Sequence, residues 1–172
     1  MRKILIILAL ALAPAMSEAK CPAWTQSAEN GSRYAKRIEK ATQWLSIAQD
    51  MLAAEGLPSK WLYLMLAESG GDRMARSEKG AQGPWQLMPA TARRYGCKDP
   101  QDPESSTIAA ASYLKKLLAD LGNERDAIIG YNMGGTNYRK SKKATAQAAA
   151  LANEVMCLFE HDPLHLTEKS TL

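Results

Sequence analysis

Apolar residues recur at helical spacing along most of the chain. From 32 to 54 they fall at Tyr34, Ile38, Ala41, Trp44, Leu45, Ala48, Met51 and Leu52, with Lys36, Arg37, Lys40, Gln43 and Asp50 opposite. This spacing predicts an amphipathic helix, or two, lying on the outside of a core. Gly56 ends it and Pro58 opens the next. Residues 59–69 read differently. Trp61, Leu62, Leu64, Met65, Leu66 and Ala67 leave almost no polar side, which predicts a buried helix. Gly70 and Gly71 stop it. A short helix follows, with Pro89 in its first turn and Gly96 as its stop. Asp102 and Pro103 open a long one with the stripe Ile108, Ala111, Leu114, Leu117, Leu118 and Leu121, stopped by Gly122. Asn123 caps a helix over 124–132, ended by Gly134-Gly135, and an Ala-rich segment from about 144 to 159 forms the last. Period-two alternation is absent and β-branched residues are sparse. The expectation is a single all-α domain with no internal repeat.

One residue in this pattern carries chemistry. Glu68 lies in the last turn of the buried helix. A carboxylate there opposes the helix dipole, which favours cations at that end. Burial disfavours its charged form and raises its pKa. The position costs stability and suits a general acid; an ordinary surface glutamate at a frayed helix end is the competing reading. Beyond it lies a loop, 72–84, whose Gly80 and Gly83 would permit close approach of backbone to a ligand; an ordinary exposed loop is the competing and commoner reading. Asp72 reads as a turn residue, because short acidic side chains hydrogen-bond locally in turns.

The residues after Glu68 form a recognisable order. Ser77, Gly80, Gly83 and Gln86 make a Ser-x-x-Gly-x-x-Gly-x-x-Gln run, Met88-Pro89-Ala90-Thr91-Ala92 starts the short helix, and Gly130-Tyr131-Asn132-Met133-Gly134 comes later. This constellation, over roughly residues 34–135, resembles the lytic transglycosylases of bacterial cell walls, and its Gly-Pro-Trp-Gln segment resembles the membrane-bound type D branch. The resemblance implies a lysozyme-like helical domain. It implies cleavage of peptidoglycan between N-acetylmuramic acid and N-acetylglucosamine without water, giving a 1,6-anhydro sugar. Glu68 would act as acid and then as base. Ser77 and Gln86 would bind the sugar, Met88 would line the groove, and Tyr131 and Asn132 would hold the sugar and orient Glu68. Tyr131 is equally readable as a core residue with its hydroxyl satisfied. Ser69 reads as structural. Three positions depart from the family pattern: Gly71 replaces an aromatic residue, Arg73 a proline and Gly130 an alanine, which predicts a looser loop.

Size and charge narrow the setting. The chain has 172 residues, enough for one domain with a core. Arg2, Lys3 and the apolar run from Ile4 to Ala13 form an export signal, with Ser17-Glu18-Ala19 as its cleavage site. The expected plan is a signal peptide over 1–19, a polar tail over 20–31, the catalytic domain over 32–160 and a flexible tail over 161–172. The mature protein is then expected in the periplasm or secreted. Cys21 follows a poor lipidation context, so no stable membrane anchor is expected, and the protein is expected to be a monomer. Net charge is +4 as written and +3 after cleavage. That suits an anionic polymer such as cell wall. The basic residues read as scattered along the chain, and export argues against nucleic acid as a partner. In an oxidising compartment Cys21, Cys97 and Cys157 allow one intrachain disulfide, with Cys157 the favoured member and its partner open. Neither His161 nor His165 stands in a metal-ligand spacing, and no metal or cofactor is expected.

Most glycosidases use two carboxylates, and this motif block supplies one. A single group does both jobs if its pKa lies near working pH, and an apolar pocket raises a glutamate to about 6. A hydrolytic goose-type lysozyme would need a second acid. A non-catalytic wall-binding scaffold is the other alternative. By analogy, a lone domain of this kind suits a local wall cutter serving a secretion, conjugation or phage apparatus.

Overall fold

A computed structural model describes residues 28–161. The expected signal peptide, its cleavage site, Cys21 and His165 lie outside those residues. The chain's most apolar segment sits at the centre. Ser59–Trp61 makes a turn of 3-10 helix and runs into helix α2, Leu62–Ser69, and every side chain from Trp61 to Leu66 is at most 1% exposed. Gly70 closes α2 in the left-handed conformation, with its N–H donating to the Leu66 carbonyl at 2.9 Å. The helix is thus buried over its first turns and emerges only at its C-terminal end, where Glu68 stands.

The other helices enclose it. Helix α1 (Ala28–Ala54) buries Ala41, Trp44, Ala48 and Leu52 and leaves Gln43 and Asp50 exposed, as the spacing predicts. It starts ahead of the expected Ser32, so residues 28–31 are helix and not tail. Helix α3 (Pro89–Arg94) is short. Helix α4 (Pro103–Leu121) is capped by Asp102, whose carboxylate accepts from the Ser105 N–H at 2.8 Å. It packs against both α1 and helix α5 (Glu124–Met133), so Ala109, Ala110 and Ala111 are all buried and its apolar face is wider than a single stripe. Asn123 caps α5, accepting from the Asp126 N–H at 2.9 Å. Helix α7 (Ala146–His161) packs against α5 and α2. Its last residue, His161, belongs to the helix and not to a tail.

The Gly134-Gly135 pair does more than end α5. Gly134 (φ 84°) turns the chain, and a further helix, α6 (Gly135–Ser141), starts at once. The sequence reading lacks it because residues 135–141 carry only one large apolar side chain, Tyr138. That side chain is buried and its hydroxyl donates to Asp126 Oδ1 at 2.6 Å. Among the described residues β pairing is limited to two isolated bridges, Arg76 with Gln82 and Gln82 with Leu87. Cys157 is disulfide-bonded, and Cys97 is a buried free thiol. No helix among the described residues is long and apolar enough to cross a membrane.

The bridges make the loop between α2 and α3 tight, not loose. Gln82 and Leu87 exchange two backbone hydrogen bonds of 3.0 Å, and the Gly83 N–H donates to the Ala75 carbonyl at 2.9 Å. The loop glycines also act differently from the expected approach to a ligand. Gly83 (φ 76°) presses on backbone: a Cβ there would lie 1.7 Å from the Pro100 carbonyl oxygen. Gly80 (φ 87°) faces open space. Gly80→Ala should therefore cost only the left-handed penalty of about 1–2 kcal/mol. Gly83→Ala adds a backbone clash and should cost roughly 3 kcal/mol or more. Urea denaturation of both variants checks this, and equal losses would contradict it.

Candidate active site

A cavity of about 350 Å³ opens where the end of α2, the 72–88 loop, α4, α5 and α7 meet. Glu68, Ser77, Gln86, Met88, Tyr131 and Asn132 all line it, so the fold brings together the six residues that the resemblance pointed to as catalytic or sugar-binding. Asp72 is not among the lining residues. Its carboxylate accepts from the Met74 N–H at 2.9 Å, the turn role read from sequence. Ser69 is structural too: its hydroxyl accepts from the Gly71 N–H at 3.0 Å and donates to the Met65 carbonyl at 3.3 Å.

Glu68 is half-buried, and its pKa rises from the ordinary 4.5 to about 7. Burial is the cause; a hydrogen bond from the Asn132 side chain pulls the other way by favouring the carboxylate. Tyr131 lies alongside. Its hydroxyl donates to the Trp85 carbonyl at 2.8 Å, and its pKa is held well above the usual phenol range, first by burial and then by the charge of Glu68. The phenol therefore stays neutral, and its proton is committed to backbone.

The loop side of the cavity is built by Trp85 and Gln86. Trp85 is fully buried, and its indole N–H donates to Thr107 Oγ1 at 2.9 Å. Gln86 adopts φ 48°, which is uncommon for a residue with a side chain. Its amide nitrogen donates to the carbonyls of Gly83 at 2.8 Å and Ala75 at 3.3 Å, so the side chain stitches the loop that holds it. Ser77 is exposed; its hydroxyl oxygen accepts from the Ala81 N–H at 3.0 Å and keeps a proton to donate. Met88 is 44% exposed, an apolar surface at the rim.

Several lining residues escape the sequence reading, Lys79, Ala81 and Leu87 of the loop among them. Tyr113 projects from α4, accepts from the Gly135 N–H at 3.1 Å and donates to the Gly130 carbonyl at 3.3 Å. Its ring lies 5.3 Å from that of Tyr131 and 5.2 Å from that of Tyr95. Gln147 enters from α7, and Glu78 places a second, exposed carboxylate on the loop. Only Tyr113 left a trace in the sequence, as a ring beside the apolar stripe of α4.

The helical fold and a single half-buried carboxyl in its cavity define a lysozyme-like domain. Residues 46–153 match the transglycosylase SLT domain family, and the chain belongs to it. Similar proteins include a transglycosylase of Enterobacteria phage PRD1, 39% identical over 70 residues, which are 41% of this chain and 26% of that protein. Another is the membrane-bound lytic murein transglycosylase D of Escherichia coli K12, 29% identical over 115 residues, 62% of this chain and 25% of that protein. A third is the membrane-bound lytic murein transglycosylase F 2 of Alkalilimnicola ehrlichii, 33% identical over 109 residues, 59% of this chain and 22% of that protein. The matched stretches thus span about a quarter of these relatives' own lengths.

The raised carboxyl has a thermodynamic signature. Between the unfolded value of 4.5 and the folded value of about 7 the native state binds the extra proton. Unfolding free energy therefore falls as pH rises through that window, by roughly 3 kcal/mol in all. Glu68→Gln is neutral at every pH and lacks this loss. Relative to wild type it should gain that amount between pH 4 and pH 8 in urea titrations. A stability difference that is flat with pH would show that the carboxyl is not perturbed.

Proposed function

We propose that this protein is a peptidoglycan lytic transglycosylase in which Glu68 serves first as acid and then as base. The observation that carries the reading is the Glu68 carboxyl itself: half-buried, raised to about 7, held by Asn132 and set in the cavity with Ser77 and Gln86. Near neutral pH such a group is protonated in a large fraction of molecules, which an acid requires. It gives its proton to the oxygen linking N-acetylmuramic acid to N-acetylglucosamine. The C1–O bond breaks, the N-acetylglucosamine side leaves as an alcohol, and an oxocarbenium-like centre forms at C1. Glu68, now a carboxylate, takes the proton of the same muramyl residue's 6-hydroxyl as O6 bonds to C1. The ring closes as a 1,6-anhydro sugar, the proton returns to Glu68, and no water is consumed.

The remaining residues have supporting parts. Asn132 orients the carboxyl and stabilises its charged phase. Ser77 offers a hydroxyl proton to the sugar. Gln86 has its two amide donors engaged by the loop, so its carbonyl oxygen is the group offered to substrate hydroxyls. Met88 supplies an apolar surface for a sugar face. Tyr131 acts through position: it ties α5 to the loop beside Glu68. The substrate is the glycan strand of the cell wall, met in the periplasm or outside the cell. Service to a secretion, conjugation or phage apparatus is a reading supported by likeness to a phage transglycosylase.

Glu78 supports a second reading. It supplies the carboxylate a hydrolase would need to position water. Products decide between the two. Purified sacculi treated with the protein should release fragments ending in 1,6-anhydro-muramic acid, lighter than reducing ends by one water, about 18 Da. Reducing ends lost in Glu78→Gln would establish the hydrolase instead. Glu68→Gln should lower turnover by roughly a thousandfold with the fold intact. The kcat/KM of wild type should fall above pH 7, as Glu68 loses the proton that it must donate.

A further inference from the structure

A second cavity, of about 320 Å³, adjoins the first, and the two share Thr91 and Tyr113 as common wall. Its chemistry is different. Where the first cavity is built around the half-buried Glu68 carboxyl, the second is lined by Arg94 of α3, Lys116 and Asp120 of α4, and Arg139 of α6. Three cations thus face one carboxylate. Asp120 is engaged by Lys116 through a short ion pair and lies 3.6 Å from Arg139 Nη1. Arg94 sits 6.0 Å from the centroid of the Tyr95 ring, and among the described residues no carboxylate pairs with it. The excess positive charge continues outside. Arg139 begins the run Arg139-Lys140-Ser141-Lys142-Lys143, in which all five residues are exposed and none is acidic. Arg94, Lys116 and Arg139, far apart in the sequence, are thus gathered by the fold into the lining of this cavity.

We infer that the second cavity seats the acidic peptide stem of the muramyl sugar, with Arg94 and Arg139 binding its carboxylates. The inference rests on the transglycosylase reading for the nature of the glycan. A muramyl residue held against Glu68 carries its stem on a lactyl ether, and the shared wall of Thr91 and Tyr113 places an adjoining space beside the sugar's seat. The stem is a short peptide with several free carboxylates. Arginine binds carboxylates in bidentate pairs; Arg94, with no carboxylate partner among the described residues, forms such a pair without first breaking another, and Arg139 shares or exchanges its 3.6 Å contact with Asp120, which Lys116 also engages. The cavity is open to solvent, so each pair adds modestly and the effect is one of substrate choice, not of chemistry. The protein then prefers stem-bearing glycan over glycan stripped of its peptides.

The test compares kcat/KM on glycan strands with intact stems and on strands whose stems an amidase has removed. Two exposed ion pairs together predict that wild type favours the stem-bearing strands by roughly five- to tenfold. Arg94→Gln/Arg139→Gln should lose that preference while keeping wild-type turnover on stripped strands. Equal wild-type rates on both strands, or equal losses by the variant on both, overturn the assignment. If wild type releases no anhydro ends from either, the transglycosylase reading fails separately, and binding of the isolated stem tetrapeptide decides the cavity. In NMR titrations it should shift the Gly135 and Thr136 amides, with an affinity at least about fivefold weaker in the double variant. Absence of shifts, unchanged affinity in the variant, or displacement by equimolar inorganic phosphate overturns the stem site.

Discussion

The cavity depends on Trp85. Its ring fills the core, its indole N–H donates to Thr107 on α4, and its carbonyl accepts from Tyr131 on α5. One residue of a loop is thereby tied to two helices by groups that cannot be left unsatisfied in the interior. The anchoring continues inward, because the Thr107 hydroxyl itself donates to the Pro103 carbonyl at 2.6 Å. With Trp85 held, Gln86 must follow in a left-handed conformation that costs about 1–2 kcal/mol for a residue with a side chain. Its two hydrogen bonds to loop carbonyls offset that strain. The loop wall is rigid for these reasons, although the sequence around it reads as open and glycine-rich.

Against this fixed wall the placement of Glu68 is a deliberate expense. Burial disfavours its charge, at a helix C-terminus that itself favours cations. One feature favours it, the hydrogen bond from Asn132. The balance leaves the carboxyl about halfway along its titration near neutrality. A stronger set of donors would hold it as a carboxylate, and a drier pocket would hold it as an acid. Neither extreme allows one group to give a proton and take it back.

Much of this was legible in the sequence where a residue's own chemistry decides its structure. The unbroken apolar run of α2 marked a buried helix, and Asp102 and Asn123 were readable as caps because their side chains satisfy helix N–H groups within three residues. Glu68 was legible as a charge at the wrong end of such a helix. What escaped depends on contacts between distant segments. Helix α6 carries only one large apolar side chain, Tyr138, and is held by that residue's bond to Asp126. Tyr113 gains its place by bridging Gly130 and Gly135. Gly130, a departure from the family's alanine, is explained by α4: a Cβ there would lie 2.8 Å from Leu121 Cδ1 and 3.1 Å from Leu117 Cδ2. No local pattern announces that crowding.

The same close approach of α4 separates two electrostatic tasks that conflict. A cation within about 4–6 Å of a carboxyl lowers its pKa by 1–3 units, enough to return Glu68 to an ordinary carboxylate. Recognition of an acidic polymer nevertheless calls for cations near the substrate. Glu68's titration carries burial and Asn132 as its causes and no contribution from a basic side chain. Arg94, Lys116 and Arg139 lie in the second cavity, beyond Tyr113. Lys79, the basic residue that does line the first, is exposed on the loop. Tyr113 lines both cavities, its ring tilted against those of Tyr131 and Tyr95 at centroid distances of 5.3 and 5.2 Å. A row of three neutral rings is a low-polarity partition, and it allows positive charge to gather close to the glycan without reaching the acid that must stay protonated to cut it.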